Sequence, residues 1–342
     1  MGRGVGRVNE SETKVEAATM DDVAILICAH GSRDGDAITE LEALAAGMRR
    51  RLPHREIGAA YLEFARPTIR EGLEALVARG ARRIHALPAM LFAAGHVKND
   101  LPWELNSFAA DHKGVELAYG RDLGIDARLL AAARARIEAA EKVSPRAIAR
   151  KETLLLVIGR GTNDPDANGN IAKIASMLWE GMGFGWAMVG YSGVAQPLTP
   201  DALAYAQRLG FKRIVVFPYF LFTGVLVKRI YAATAEAAAA HPETEILKAS
   251  YLNDHPEVLD TFIDHLAEIG RGENLMNCRL CKYRERLVGY ESAVGAPQVG
   301  HHIHVRGIGT DADHHHDHEH DHDHDHDRDH GHHDHGHRRD SK

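Results

Sequence analysis

Residues 25–34 read Ile-Leu-Ile-Cys-Ala-His-Gly-Ser-Arg-Asp, an apolar run that stops at a histidine, a glycine and a polar turn. A short run of β-favouring residues that ends at glycine and precedes a helical pattern predicts a buried strand of a parallel sheet. This strand would deliver His30 to the carboxyl edge of the sheet, where open α/β sheets bind ligands. A lone histidine in such a turn is also typical of a hydrogen-bonded core residue. The interpretation of His30 therefore depends on the residues that accompany it.

Short β-favouring runs alternate with helical patterns from Val23 onward. Asp34, Asp36 and Asp126 stand where their side chains can cap helix starts. The alternation is typical of an α/β fold, in which helices cover a parallel sheet. In the first half of the chain we predict strands at residues 23–29, 57–61, 84–90 and 115–117, and helices at 37–51, 68–79, from 96 onward and at 127–142.

The same order of elements repeats about 130 residues later, and no gap is needed to align the two copies. The register pairs His30-Gly31-Ser32 with Arg160-Gly161-Thr162. We therefore predict two tandem α/β domains of one design that face each other across a cleft. Further pairs in this register are Pro67 and Pro197, Gly80 and Gly210, Arg83 and Arg213, Pro88 and Pro218, Phe92 and Phe222, and Lys98 and Lys228.

Three chemically capable side chains occur only in the first copy. His30, Glu63 and His96 each follow a predicted strand, and the repeat replaces them with Arg160, Gly193 and Leu226. Taken singly, Glu63 could be a solvated surface acid and His96 a helix N-terminal residue. Because the carboxyl ends of parallel strands meet at one edge, we expect the three side chains to share one mouth of the sheet.

Three motifs resemble the class II tetrapyrrole chelatases, and specifically the long form of the sirohydrochlorin cobaltochelatase family. They are AHGSR at 29–33, YLEFARP at 61–67 and LPAMLFAAGHVKND at 87–100. The resemblance covers about residues 22–290 in its tandem arrangement. It implies that His30, Glu63 and His96 bind the incoming metal and assist deprotonation of the macrocycle.

The chemistry of these side chains agrees with that resemblance. Neutral imidazoles bind Co²⁺ or Fe²⁺ and accept protons, and a carboxylate supplies charge compensation and a second base. The resemblance implies insertion of Co²⁺ into sirohydrochlorin with release of two protons, in cobalamin biosynthesis; insertion of iron or nickel is the alternative. Sirohydrochlorin carries several carboxylates, for which helix N-termini and nearby side chains are candidate anchors. These candidates are Ser32, Arg33, Arg66 and Arg160, of which the arginines could equally be ordinary surface charges.

Composition limits the other classes of function. The chain has 342 residues, of which 44% are apolar, and can bury one large core or two of ordinary size; we expect two. A formal charge of −7 gives no reason to expect a nucleic-acid partner. The first 20 residues are polar and include no stretch suited to a signal peptide or membrane span. Three cysteines cannot form a disulfide framework, so we expect a reducing compartment, the cytoplasm.

Two of the cysteines, Cys278 and Cys281, form a C-x-x-C pair. Such a pair serves as a redox dithiol, half of a zinc site or a set of iron-sulfur ligands. The family resemblance favours an iron-sulfur cluster here. Because two thiolates supply half of the usual ligand set, two chains would share the cluster or other residues would complete it. Cys28, inside the first strand, is expected to be a small buried hydrophobe.

The composition changes from His301 onward to a sequence of alternating aspartate and histidine. Such a segment buries too little apolar surface to fold and is expected to be disordered. A weak, multisite reservoir for divalent metal ions is the functional interpretation, and a solvated acidic tail is the alternative. A competing hypothesis makes the whole chain a non-catalytic protein for metal storage or delivery. The candidate tail ligands include His314, His315, His316, His318, His320, His322, His324 and His326.

Five segments are predicted along the chain. They are a disordered N-terminal extension (1–21), a catalytic chelatase-like domain (22–150), a second chelatase-like repeat (151–270), an iron-sulfur segment (271–300) and a disordered metal-binding tail (301–342). Tandem fusion would make a monomer a pseudo-dimer, and a homodimer is the other possibility.

Overall fold

The computed structural model describes residues 23–276. The predicted N-terminal extension, Cys278 and Cys281, and the tail from His301 therefore lie outside the described residues. The iron-sulfur cluster and the metal reservoir stay predictions from the sequence.

Two parallel sheets of four strands form the framework, as the sequence predicts. The first sheet has the order β2-β1-β3-β4 and the second the order β6-β5-β7-β8, so the two repeats share one topology. The first-repeat strands are β1 (Val23–Ala29), β2 (Ile57–Tyr61), β3 (Arg83–Pro88) and β4 (Glu116–Tyr119). The second-repeat strands are β5 (Thr153–Gly159), β6 (Trp186–Tyr191), β7 (Arg213–Pro218) and β8 (Glu245–Lys248).

Helices connect the strands in both repeats. The first repeat has α1 (Gly35–Arg51), α2 (Ile69–Ala78), a π-helix (His96–Asp100) that continues into α3 (Leu101–Asp111), and α4 (Ala127–Lys142). The second repeat has α5 (Pro165–Met182), α6 (Thr199–Arg208), α7 (Val225–Ala240) and α8 (Pro256–Gly270), and a short 3₁₀ turn (Arg150–Glu152) links the repeats.

Local signals in the sequence place most of these boundaries. The Asp34 and Asp126 side chains cap α1 and α4 by accepting backbone N–H groups, as predicted. Asp36 lies instead in the first turn of α1, where it complements the helix dipole. β3 ends at Pro88 and not at residue 90, since the apolar residues that follow belong to a loop beside the candidate site.

The apolar interior differs from the expected pair of separate cores. Ile25 and Ile27 of β1 belong to a cluster that includes Leu155 and Val157 of β5 and side chains from α1, α4, α5 and α8. Leu26, whose side chain points to the opposite face of β1, belongs to an outer cluster with α2 and α3. Each sheet therefore buries one face in a core shared by both repeats and the other under its own helices.

The last helix of each repeat packs on the other repeat. Helix α8 contacts β3, whereas α4 contacts β7 and β8. A Cβ atom on Gly120 would lie 2.7 Å from the Ile269 side chain, so glycine allows α8 to approach the first sheet closely. Arg121 also holds Glu268 of α8 through two hydrogen bonds of 2.8 Å. Because each repeat packs its last helix on the other repeat, the two repeats form one packed unit. Among residues 23–276, no helix is both long and apolar enough to cross a membrane.

Candidate metal-binding site between the repeats

His30, Glu63 and His96 lie together at the carboxyl edge of the first sheet. Each residue offers one ligand atom, and these three atoms lie within 4.8 Å of one another. The imidazole rings of His30 and His96 are nearly perpendicular, with centroids 4.5 Å apart. Two imidazoles and one carboxylate form a donor set that suits borderline divalent ions such as Co²⁺ and Fe²⁺.

Gly31 allows the loops after β1 and β2 to meet. Its φ of +99° is unfavourable for other residues, and an added Cβ would lie 1.7 Å from the Glu63 carbonyl oxygen. The Glu63 N–H donates to the His30 carbonyl at 2.9 Å. This backbone contact brings the Glu63 carboxylate beside the imidazole of His30.

The hydrogen bonds of His30 define a position for a cation. Its Nδ1 lies 3.2 Å from the Gly31 carbonyl oxygen, which can only accept, so Nδ1 carries a proton in this contact. Nε2 lies 3.1 Å from Glu63 Oε1. The lone pair of a neutral Nε2 and a carboxylate repel each other at this distance, unless a proton or a metal ion lies between them. Burial raises the pKa of Glu63, and the neighbouring His96, Arg160 and Arg33 oppose that rise.

His96 is oriented by a carboxylate on its own helix. Its Nδ1 contacts Asp100 Oδ2 at 2.6 Å, and Asp100 is itself buried. Because a carboxylate accepts hydrogen bonds, Nδ1 carries the proton and Nε2 keeps the lone pair that a metal needs. A carboxylate that holds a ligating histidine in this way fixes its tautomer and ring orientation.

A cavity of about 560 Å³ opens beside these residues, and both repeats line it. Most of the lining is apolar; the ring of Phe92 stacks on that of Tyr219 across the repeats, with centroids 5.8 Å apart. A largely apolar cavity of this volume lies in the range of small-molecule binding sites.

Positive and polar groups lie along the cavity lining. Ser32, Arg33 and Arg160 line it, and the Arg33 guanidinium covers the Phe64 ring at 5.0 Å. Burial lowers the pKa of Arg160, whereas the nearby Glu63 raises it. Arg66 does not line the cavity and pairs instead with Glu71 at 3.2 Å. Of the four predicted anchors, the structure therefore brings three to the cavity.

Two residues beside the site were not predicted from the sequence. Asp100 stands four residues after His96, a spacing that could have identified it as a helical partner. Asp122 accepts a hydrogen bond from the Ala93 N–H at 3.0 Å and so supports the loop before His96. Burial raises the pKa of Asp122 to about 6. No local pattern links Asp122 to this loop, because 29 residues separate them.

Comparisons with known proteins agree with the two-repeat arrangement. The model of the CbiX family matches residues 24–140 and again residues 154–269. A sirohydrochlorin cobaltochelatase of Priestia megaterium is 34% identical over 263 residues, which cover 76% of this chain and 84% of that protein. A sirohydrochlorin ferrochelatase of the same organism is 30% identical over 235 residues, covering 68% of this chain and 85% of that protein.

A solved structure shares the architecture. SirB from Bacillus subtilis, determined with Fe³⁺, has a TM-score of 0.65 and 28% sequence identity to this chain. The similarity covers 74% of this chain and 99% of SirB. The two-repeat body thus corresponds to nearly the whole of that protein.

Proposed function

The chain belongs to the CbiX family, and on this premise we propose that it is a sirohydrochlorin chelatase whose metal substrate is Co²⁺. The observation that carries the proposal is the convergence of His30, Glu63 and His96 beside a cavity lined by both repeats. The second repeat has no counterpart of the three side chains and supplies the opposite wall.

Metal binding is the role of the two imidazoles in this proposal. Nε2 of His30 and Nε2 of His96 take up the divalent ion and displace part of its water shell. Asp100 keeps the His96 ring in the required tautomer. So few protein ligands leave open coordination positions, and an ion held in this way can pass to a stronger chelator.

Insertion also requires that two pyrrole N–H protons leave the macrocycle. Glu63 is the proposed base, since burial raises the pKa of its carboxyl and makes the carboxylate more basic. His30, whose Nε2 faces Glu63 Oε1, is the second acceptor, because its Nε2 regains a lone pair once the ion passes to the macrocycle. The charge is balanced, because one divalent ion enters the ring as two protons depart.

The cavity lining accounts for recognition of the macrocycle. Its apolar walls fit the ring, and Arg33 and Arg160 are placed to bind peripheral carboxylates. Arg160 lines the cavity near Glu63, whose negative charge raises the pKa of the guanidinium. Ser32, whose Oγ accepts a hydrogen bond from Asp34 N at 3.0 Å, lies beside these cations.

The choice of cobalt over iron is supported by relatives. The cobaltochelatase is 34% identical and the ferrochelatase 30%, at similar coverage of each protein. The three side chains accept cobalt, iron or nickel, so the donor set does not itself select the metal.

The test is an anaerobic insertion assay with sirohydrochlorin and Co²⁺, Fe²⁺ or Ni²⁺. The absorption spectrum of the macrocycle reports insertion. We expect the fastest change with Co²⁺. Faster insertion of Fe²⁺ would reassign the protein as a ferrochelatase. If no metal were inserted faster than without protein, a storage or delivery function would replace the proposed enzyme.

The Glu63→Gln variant is expected to insert metal about 10²-fold more slowly, because glutamine keeps the size of the side chain but loses its basicity. The rate is measured at saturating Co²⁺, with circular dichroism as the control for folding. An unchanged rate would make Glu63 a structural residue at the contact with His30.

Deletion of residues 301–342 is expected to leave the rate at saturating Co²⁺ nearly unchanged and to reduce insertion when cobalt is scarce. The proposed reason is that the tail imidazoles raise the local concentration of metal near the site. A cobalt titration of full-length and truncated chains, with metal stoichiometry measured in parallel, distinguishes the cases. Coinciding titrations would contradict the reservoir, and loss of turnover at high cobalt would place the tail in the catalytic machinery.

A further inference from the structure

A buried ion pair joins the π-helix of His96 to the second repeat. Lys98 follows His96 by two residues, and its Nζ contacts Asp164 Oδ2 directly and Asp166 Oδ2 at 3.7 Å. Lys98 is 3% exposed and Asp164 is fully buried. Asp164 Oδ1 also accepts from the Asp166 N–H and caps the start of α5. The ammonium of Lys98 is thereby anchored to the end of a helix in the other repeat.

The internal repeat contains a second copy of this ion pair. Lys228 contacts Asp34 at 2.6 Å and Asp36 at 2.9 Å, and Asp34 caps α1 as Asp164 caps α5. The side chain of Lys228 is 53% exposed, in contrast to that of Lys98. We call these the buried clamp (Lys98 and Asp164) and the exposed clamp (Lys228 and Asp34). Removing one partner lowers the free energy of unfolding strongly in a buried pair and little in an exposed one.

Lys98 of the buried clamp lies in a π-helical turn, whereas Lys228 of the exposed clamp lies in a regular α-helix. Residues 96–100 form a π-helix, whereas the equivalent residues 226–230 belong to the α-helix α7. Single π-helical turns are rare and are frequent at functional sites. In the first repeat the turn carries His96; in the second repeat the equivalent residue is Leu226.

The two side chains of this turn have partners in different repeats. His96 contacts His30 and Asp100 of the first repeat, whereas Lys98 contacts Asp164 of the second. The turn is therefore held from both sides. A change at Lys98 that lets the turn rotate would also move the imidazole of His96.

We propose that Lys98 and Asp164 are positioning residues, through which the second repeat holds His96 in place for metal binding. The inference rests on the proposed function in one respect, that His96 is a metal ligand. It gives the second repeat, which has no counterpart of the three candidate ligands, a part in metal binding beyond lining the cavity. Groups that orient a ligating histidine typically change metal affinity by about 10- to 100-fold.

The test compares charge-free versions of the two clamps in the full-length chain. The Lys98→Met/Asp164→Asn variant removes both buried charges together and keeps a residue that can cap α5. Its matched control is Lys228→Met/Asp34→Asn, which makes the same change in the exposed clamp. The probe is Co²⁺ alone, without macrocycle, followed through its visible ligand-field absorption, which depends on coordination geometry. The His30→Ala/His96→Ala variant reports Co²⁺ bound elsewhere on the chain, and its signal is subtracted.

We expect the buried-clamp variant to bind Co²⁺ about 10- to 100-fold more weakly with an altered spectrum. The exposed-clamp variant should stay within about twofold of the unmodified chain. Unchanged affinity and spectrum in the buried-clamp variant would overturn the inference, and so would an equal loss in both variants. If the His30→Ala/His96→Ala variant bound Co²⁺ like the unmodified chain, the metal site itself would fail, and the inference with it.

If the buried-clamp variant does not fold, a second variant tests the same proposal. Lys98→Arg keeps the positive charge but replaces the compact ammonium with a larger planar guanidinium, which we expect to shift the π-helix. Weaker Co²⁺ binding by the folded Lys98→Arg protein supports the positioning role. Binding indistinguishable from that of the unmodified chain overturns it.

Discussion

Replacing His30 or His96 with alanine is expected to lower the rate of metal insertion by about 10³-fold, within the range that a positioned acid, base or ligand contributes. Each replacement removes one of the two imidazoles whose ring centroids lie 4.5 Å apart. The remaining donors would hold the ion less tightly and orient it less well beside the macrocycle. Initial rates of the absorption change with sirohydrochlorin and Co²⁺ measure the effect.

The controls separate loss of chemistry from loss of fold. Both histidines are partly exposed, so their removal creates no large cavity in a core and the circular dichroism spectrum should persist. His241, which pairs with Glu243 at the surface, provides a matched replacement outside the site, and His241→Ala should keep its rate. Near-normal turnover in a folded His30→Ala or His96→Ala protein would remove that residue from the proposed mechanism.

Lys98→Met is expected to lower the free energy of unfolding by about 3–5 kcal/mol, because it leaves the carboxylate of Asp164 buried and unpaired. The equivalent change at the exposed clamp, Lys228→Met, should cost no more than about 1 kcal/mol, since the Lys228 ammonium and its second partner Asp36 are already exposed to water. The difference isolates burial, because the two lysines occupy equivalent positions of the repeat.

Urea unfolding followed by circular dichroism measures both variants. The midpoint should fall strongly for Lys98→Met and little for Lys228→Met, with similar slopes if both proteins unfold in one step. Equal losses would mean that burial does not distinguish the clamps in solution. A stable Lys98→Met protein would show that the interior accommodates the unpaired Asp164 by protonation or by local rearrangement.

Local sequence patterns predicted the framework well. β1, β2 and α4 begin and end where the apolar runs and caps placed them, since those signals depend on neighbours along the chain. The register of 130 residues also holds for β1 with β5 and β3 with β7. It shifts by one residue between β4 and β8, so an ungapped alignment does not extend to the end of the repeat.

The candidate site was partly predictable for a topological reason. Residues that follow parallel strands emerge at one edge of a sheet, so His30 and Glu63 could be grouped before any distance was known. The tautomer of His96 could not be predicted in this way, because it depends on Asp100 and on the π-helical turn that places it. Arg66 carries the same charge as Arg33 and also stands in a loop that follows a strand, yet of these two only Arg33 lines the cavity.

The sequence by itself determined the α/β repeat and the three side chains found only in its first copy. Only the tertiary structure decided that the repeats share one core, that α4 and α8 each pack on the other repeat, and that one of two equivalent clamps is buried. The physical reason is that periodicity and capping act between neighbours in the chain. Burial and ion pairing, by contrast, depend on residues such as Lys98 and Asp164, 66 positions apart, that meet only once both sheets have packed.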